Sequence, residues 1–353
     1  MFPYMSGVVS KERHTNVCLF LIDNYSILDI INRRQKYWKG TNQMITKDSY
    51  SLGGLLYMPV AQNSFIAKLA KGKYPYLKAF SIDLEDAMGD MDERTLYLLL
   101  KMRLSELNIY KNELSNKKVF IRTRTPKMLR KILKLPFIEC VDGFILPKFD
   151  LTNIEEYKDI IKANKEFWYM PVLESGMLSI PTKRCLNLEQ LHERLKSVEE
   201  NILNIRVGGN DFCNLYGIRR HAPQTIYDIN LISNILSDII GVFSKDYVVS
   251  GPVCEYLSDS GMPTLRKEVQ LDLLNGFIGK TAIHPKQVQC INEEMMPTYT
   301  DYMDAKTLLH WEKDTGVCKS YDGSRMLEVK CHQKWAKKIL MLAEIYGVKK
   351  DKE

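Results

Sequence analysis

Eight short apolar runs recur along this chain from Gly53 onward, and their rhythm constrains the fold more than any other feature. The runs are Leu55–Met58, Ala79–Ile82, Val119–Ile121, Gly143–Leu146, Trp168–Leu173, Ile202–Val207, Tyr247–Val249 and Gly276–Ile278, and neighbouring centres lie 25 to 42 residues apart. Between them stand segments with helical periodicity, such as Glu93–Leu107, Ile154–Ala163, Leu188–Leu195 and Ile229–Ile240. Strand and helix alternating at this spacing imply βα units and a parallel sheet. Eight repeats fit a closed (β/α)₈ barrel of about 250 residues. An open doubly wound sheet is the alternative, but no Gly-x-Gly-x-x-Gly follows the first run.

The rhythm divides the chain into an N-terminal extension over 1–50, a barrel over 51–290 and a helical tail or lid over 291–353. The extension is polar and aromatic with basic pairs such as Arg33-Arg34. In the tail, Met295–Trp311 and Cys331–Tyr346 have helical patterns, and Asp314–Gly323 between them is rich in turn residues. Lys and Arg number 50 against 43 acids, a net charge of +7 spread along the chain. That favours small anions and falls short of a nucleic-acid-binding pattern. Eight cysteines without a Cys-x-x-Cys pair, and no apolar stretch of membrane-spanning length near the N-terminus, point to a reduced cytoplasmic protein.

A barrel places chemistry at the C-terminal ends of its strands. There the chain carries Asp83, Glu85, Asp86, Arg122, Arg124, Lys148, Glu174, Asp211, Glu255, Lys280 and His284. Glu174 and Asp211 follow neighbouring runs, 37 residues apart. Two bare carboxylates brought together repel, and a hard divalent cation removes the conflict. Oxygen ligands favour Mg²⁺ or Mn²⁺, with open positions left for water and substrate. The plainer reading makes each acid a helix cap or an arginine partner. Arg122 suits a carboxylate ligand, or an ion pair with Asp83 or Glu85. Gly208 and Gly209 suit close backbone approach of a ligand. His284, before Pro285, suits a general acid, a hydrogen-bond donor or a structural role.

Leu84-Glu85-Asp86-Ala87, Ile121-Arg122, Phe144–Lys148, Leu173-Glu174-Ser175-Gly176, Gly208–Phe212 and Gly276–Gln287 occur in the order of the HpcH/HpaI aldolase and citrate lyase β-subunit superfamily, which this chain resembles over about residues 53–290. In detail it is similar to the TIM-barrel C–C bond lyase branch found with tellurium-resistance and stress-response genes. The resemblance implies that Glu174 and Asp211 bind Mg²⁺. It implies that Arg122 holds a substrate carboxylate or keto oxygen, and that Glu85 and Asp86 hydrogen-bond the metal's waters. Lys148 and Lys280 match barrel-mouth positions, and homo-oligomers, commonly trimers, are expected.

The departures are specific. Pro59–Ser64 lacks the arginine of relatives that use coenzyme A thioesters, Arg124 replaces an asparagine, and Asn214-Leu215-Tyr216 lacks the family's aspartate. They point away from a coenzyme A thioester and toward an anionic substrate held by Arg122, Arg124, Lys148, Gly208, Gly209, Lys280 and His284. The expected chemistry is a Mg²⁺-dependent C–C bond lyase working beside a keto or hydroxy acid through an enolate. The alternative is another Mg²⁺-dependent barrel enzyme acting on a phosphorylated or nucleotide-like ligand through Lys280 and Arg124.

Overall fold

A computed structural model describes residues 46–311 and 315–350. The extension expected over 1–50 lies outside the described residues as far as position 45. The chain then enters a ring of parallel strands: β1 Gly54–Pro59, β2 Ala79–Asp83, β3 Lys118–Arg122, β4 Gly143–Leu146, β5 Trp168–Leu173, β6 Ile205–Val207, β7 Val249–Ser250 and β8 Lys280–Ala282. From β1 to β7 each strand pairs in parallel with the next, and β8 pairs with β1, Gly54 opposite Lys280. The seam between β7 and β8 closes through Ile278 N–H to Val249 O (2.8 Å) and Gly251 N–H to Gly279 O (2.9 Å). This is the expected (β/α)₈ barrel.

Two-residue alternation sorts the strand side chains into two cores. Leu55, Phe120, Ile145, Trp168, Met170 and Val172 pack together inside the ring. Leu56, Phe80, Ile121, Phe144, Tyr169 and Leu173 face the surrounding helices, whose apolar stripes complete the large outer core. Side-chain caps open some of the helices. The Asp92 side chain accepts from Thr95 N–H ahead of α1 (Glu93–Ile109), and Thr125 accepts from Met128 N–H ahead of α2 (Pro126–Ile132). Further round lie α3 Ile154–Ala163, α4 Pro181–Leu195, the short α5 Gly209–Leu215, α6 Asn230–Phe243, α7 Met262–Leu274 and α8 Pro285–Glu294.

The eighth strand departs from expectation. The apolar run Gly276–Ile278 is the approach, and the strand is Lys280–Ala282. Gly276 (φ +97°) and Gly279 (φ +78°) turn the chain through left-handed conformations, and a Cβ on Gly279 would press on Gly53 O. Lys280 therefore faces outward, toward α7.

The tail contributes α9 Tyr299–Leu309, a hairpin of β9 Val317–Lys319 with β10 Met326–Glu328, and α10 Gln333–Tyr346. The described part of the turn-rich stretch, 315–323, is thus half of a hairpin, with Gly323 at φ +72° and the Asp322 carboxylate accepting from Ser320 and Ser324. Ala305, Leu308, Leu327, Ala336 and Ile339 give the tail a small core of its own. Its last helix sits at the entrance of β1: Tyr346 O–H donates to Tyr50 O (2.7 Å) and Lys78 Nζ to Ile345 O (2.7 Å). The tail closes the N-terminal end of the barrel, opposite the strand ends that carry the charged residues.

Candidate active site

The C-terminal ends of the strands surround a cavity of about 320 Å³ whose wall includes Tyr57, Arg122, Glu174, Gly208, Asp211 and Thr281. Glu174 is the first residue beyond β5, and Asp211 lies in the first turn of α5, three residues past the N-cap Gly208. Both side chains line the cavity, close enough that the charge of Asp211 bears on Glu174. Gly208 makes room for this, because a Cβ there would overlap the Glu174 carboxylate. The next glycine, Gly209, is needed for a different reason: its Cβ would collide with Ile226 and Pro252, so it serves helix packing.

Lys148 works at both ends. Its backbone is left-handed (φ +48°), which turns its N–H toward Glu174 Oε1 at 2.9 Å. Its ammonium pairs with Glu85 and lies 3.7 Å from Asp86 and 3.8 Å from Asp211. Arg122, at the end of β3, is clamped from behind. Nε and Nη2 grip Asp83 at 2.7 and 2.6 Å, and Nη1 reaches Glu85 at 2.8 Å and Asp86 at 2.9 Å. A guanidinium has five N–H groups. Three are hydrogen-bonded to Asp83 and Asp86, and the Glu85 carboxylate pairs with Nη1 as well, so what Arg122 chiefly offers the cavity is its charge. The two-pronged grip expected for a substrate carboxylate is spent on Asp83.

Burial, and then the nearby Asp211, push the Glu174 carboxyl up to about 8. Burial also raises Asp211 and Glu85, against the pull of Lys148 on the first and Arg122 on the second. Asp86 is held below the usual carboxylate range: burial pushes it up, but Arg122 and Lys148 outweigh that. Arg122 itself stays firmly charged, because Asp83 more than offsets the cost of burying it.

These residues fit a divalent cation. The donors are oxygens only, the two acids crowd one another without a counter-ion between them, and glycine leaves space beside them. No group of three or more His, Cys, Asp or Glu among the described residues is arranged to hold an ion. Two carboxylates with the remaining positions left to water and ligand is how Mg²⁺ is usually held at a catalytic centre.

Three expected substrate contacts are corrected. Arg124 donates to the carbonyls of Leu84, Gly89 and Met91 at 2.6 to 2.8 Å, so it clasps the loop between β2 and α1 with all three of its nitrogens and is not part of the cavity wall. Lys280 is fully buried on the helix side of β8, 2.8 Å from Asp272 and 3.0 Å from Glu268. His284 caps α8, accepting from Lys286 N–H at 3.2 Å, and is not part of the cavity wall. Sequence reasoning also passed over Tyr57, Thr281 and the buried Arg206. A lone tyrosine inside an apolar run resembles core, and only the ring geometry sets it at the mouth.

A family model described as C–C bond lyase of the TIM-barrel fold matches residues 46–348. The chain belongs to that family. Solved structures similar to the lyase include CitE from Mycobacterium tuberculosis in complex with magnesium, acetoacetate and coenzyme A. The two share 15% identity at a TM-score of 0.59, over 84% of this chain and 99% of that one. RipC from Yersinia pestis shares 14% identity at a TM-score of 0.51, over 71% of this chain and 98% of that one. The citrate lyase β subunit from M. tuberculosis, complexed with oxaloacetate and magnesium, shares 13% at 0.50, over 70% and 99%. At these identities the likeness is one of fold. No curated protein matches the sequence.

Proposed function

We propose that the lyase is Mg²⁺-dependent and cleaves or forms a carbon–carbon bond beside a keto or hydroxy acid, through an enolate. One observation carries the proposal: Glu174 and Asp211, from consecutive βα units, meet in the wall of one cavity beside Arg122. Complexes of the fold relatives with magnesium and acetoacetate or oxaloacetate support it.

Glu174 and Asp211 would hold the ion, with Glu174 kept in place by the Lys148 N–H. Bound there, Mg²⁺ supplies Lewis-acid stabilisation of negative charge developing on the substrate's oxygen. Arg122 adds a fixed positive charge that Asp83 keeps from swinging away. Asp86, which lines the cavity and stays ionised, is the acceptor available to a water or a substrate hydroxyl. Glu85 lies behind it and positions Arg122 and Lys148. Val172, Val207, Val253 and Ile283 make the rest of the wall apolar, which strengthens each of these interactions.

The proposed substrate is a free acid. The segment after β1 that would meet a coenzyme A chain is tied down instead, with Arg103 donating to Gln62 O (3.3 Å) and Asn63 Oδ1 (3.2 Å). A phosphorylated or nucleotide-like ligand is less well served, since Arg124 and Lys280, the cations it requires, are committed to the fold. Cytoplasmic residence, homo-oligomeric assembly, Mn²⁺ as a substitute ion and a stress-response or tellurium-resistance setting belong to the same proposal. Among the described residues no helix is long and apolar enough to cross a membrane. Calorimetry tests the core of the reading. Mg²⁺ is expected to bind the native protein and to lose about a hundredfold or more in affinity in Glu174→Gln and Asp211→Asn. Undiminished binding in both variants removes the mechanism.

A further inference from the structure

Beneath the carboxylates, Arg206 of β6 is 1% exposed inside the barrel. Its guanidinium pairs with no carboxylate among the described residues. Nε donates to the Tyr57 hydroxyl at 3.2 Å, Nη2 donates to Thr281 Oγ1 at 2.7 Å, and Nη1 has no partner. A buried cation without a counter-charge costs several kcal/mol, so its retention asks for an anion nearby. Tyr57 and Thr281, the two hydroxyls it holds, both line the cavity that contains Glu174, Asp211 and Arg122.

The direction of these bonds matters. A guanidinium only donates, so both hydroxyl oxygens must accept from it. Each hydroxyl keeps its own proton, and neither donates it to an acceptor among the described residues. The open side of both groups is the cavity. The Tyr57 ring is also flanked by two cations, with the Arg122 guanidinium 4.7 Å and the Arg206 guanidinium 5.7 Å from its centroid, which leaves the phenol little freedom to swing out.

We infer that the Tyr57 and Thr281 hydroxyls form an oxyanion-binding pair at the cavity floor, with Arg206 as the positioning residue behind them. This rests on the Mg²⁺-lyase reading and extends it. The pair donates two hydrogen bonds to the negatively charged oxygen of the enolate. The buried charge of Arg206 strengthens both, and their partly apolar surroundings keep competing water away. No proton changes owner in this role. Substrates that gain negative charge during reaction are therefore held more tightly as they react.

The test uses the full-length protein loaded with Mg²⁺, titrated by calorimetry with oxalate, a planar dianion shaped like an enolate, and with pyruvate. The native protein is expected to bind oxalate about tenfold or more tightly than pyruvate. Tyr57→Phe and Thr281→Val are each expected to lose about tenfold in oxalate affinity, the cost of one charged hydrogen bond, with Mg²⁺ and pyruvate affinity nearly unchanged. Arg206→Lys is expected to lower oxalate affinity too, and adding Tyr57→Phe to it to cost far less than in the native background, because Arg206 acts through the hydroxyls. Melting curves of Tyr57→Phe, the mildest change, confirm folding. An unchanged oxalate-to-pyruvate ratio in both hydroxyl variants overturns the inference alone. A Mg²⁺-loaded native protein that binds neither anion overturns the Mg²⁺ reading together with it.

Discussion

Lys148 shows how much one residue of this site depends on backbone conformation. A left-handed lysine is strained, and here the strain turns its N–H toward Glu174 while its side chain ties Glu85 to the neighbouring acids. Nothing in Leu146-Pro147-Lys148 announces that the amide is the useful group. Glu174 yields a prediction with a definite sign. Without a cation its carboxyl sits at about 8, raised by burial and then by Asp211. Below that pH an incoming Mg²⁺ must displace a proton, so affinity is expected to rise about tenfold per pH unit toward 8 and to level off above it. Calorimetry at several pH values, in buffers of different ionisation heat, reads both the slope and the released proton; a flat profile from pH 6 to 8 contradicts the assignment. Gly208→Ala makes a second prediction. The new methyl overlaps the Glu174 carboxylate, so Mg²⁺ binding is expected to drop at least about tenfold while the melting temperature stays near native.

At the scale of elements, β8 and α7 share the buried group Lys280, Glu268 and Asp272, each wholly inaccessible, with Arg220 3.4 Å from Glu268 and the Tyr227 hydroxyl 2.7 Å from Asp272. Burial lifts the Asp272 carboxyl to about 6 even with Lys280 against it. Lys280→Met would leave two acids buried without that partner, at a cost of about 3–5 kcal/mol. Urea denaturation measures it, and a loss under about 1 kcal/mol would mean the acids take up protons readily and the pair contributes little. Mg²⁺ affinity is expected to survive, because Lys280 faces away from the cavity. The same strand shows where pattern reading stops. Apolar runs located the first five strands to within a residue or so, since both faces of those strands are apolar. In β8 a charged residue points at the preceding helix, α7, and hydrophobicity cannot reveal a charge neutralised by buried carboxylates of that helix.

For the whole molecule, the two ends of the barrel divide the work. The C-terminal ends gather the charged residues, and the N-terminal end is covered by the tail through Tyr346, which touches Tyr50 and Gly53. Tyr346→Ala is expected to cost about 3 kcal/mol of stability, as for other buried aromatic truncations, and to leave Mg²⁺ binding intact. A variant that loses Mg²⁺ binding while its melting temperature holds would break this division of labour. The sequence by itself determined the strand–helix rhythm, the closed barrel and the acids Glu174 and Asp211, because periodicity and charged residues at strand ends are local properties of a chain. Tertiary structure alone decided which cations face the cavity. Arg124 and Lys280 are spent on the scaffold, Arg122 offers chiefly its charge, and Arg206 stands behind Tyr57 and Thr281. The physical reason is that a cation's role depends on which oxygens surround it, and here those oxygens come from loops, helices and strands brought together only when the chain folds.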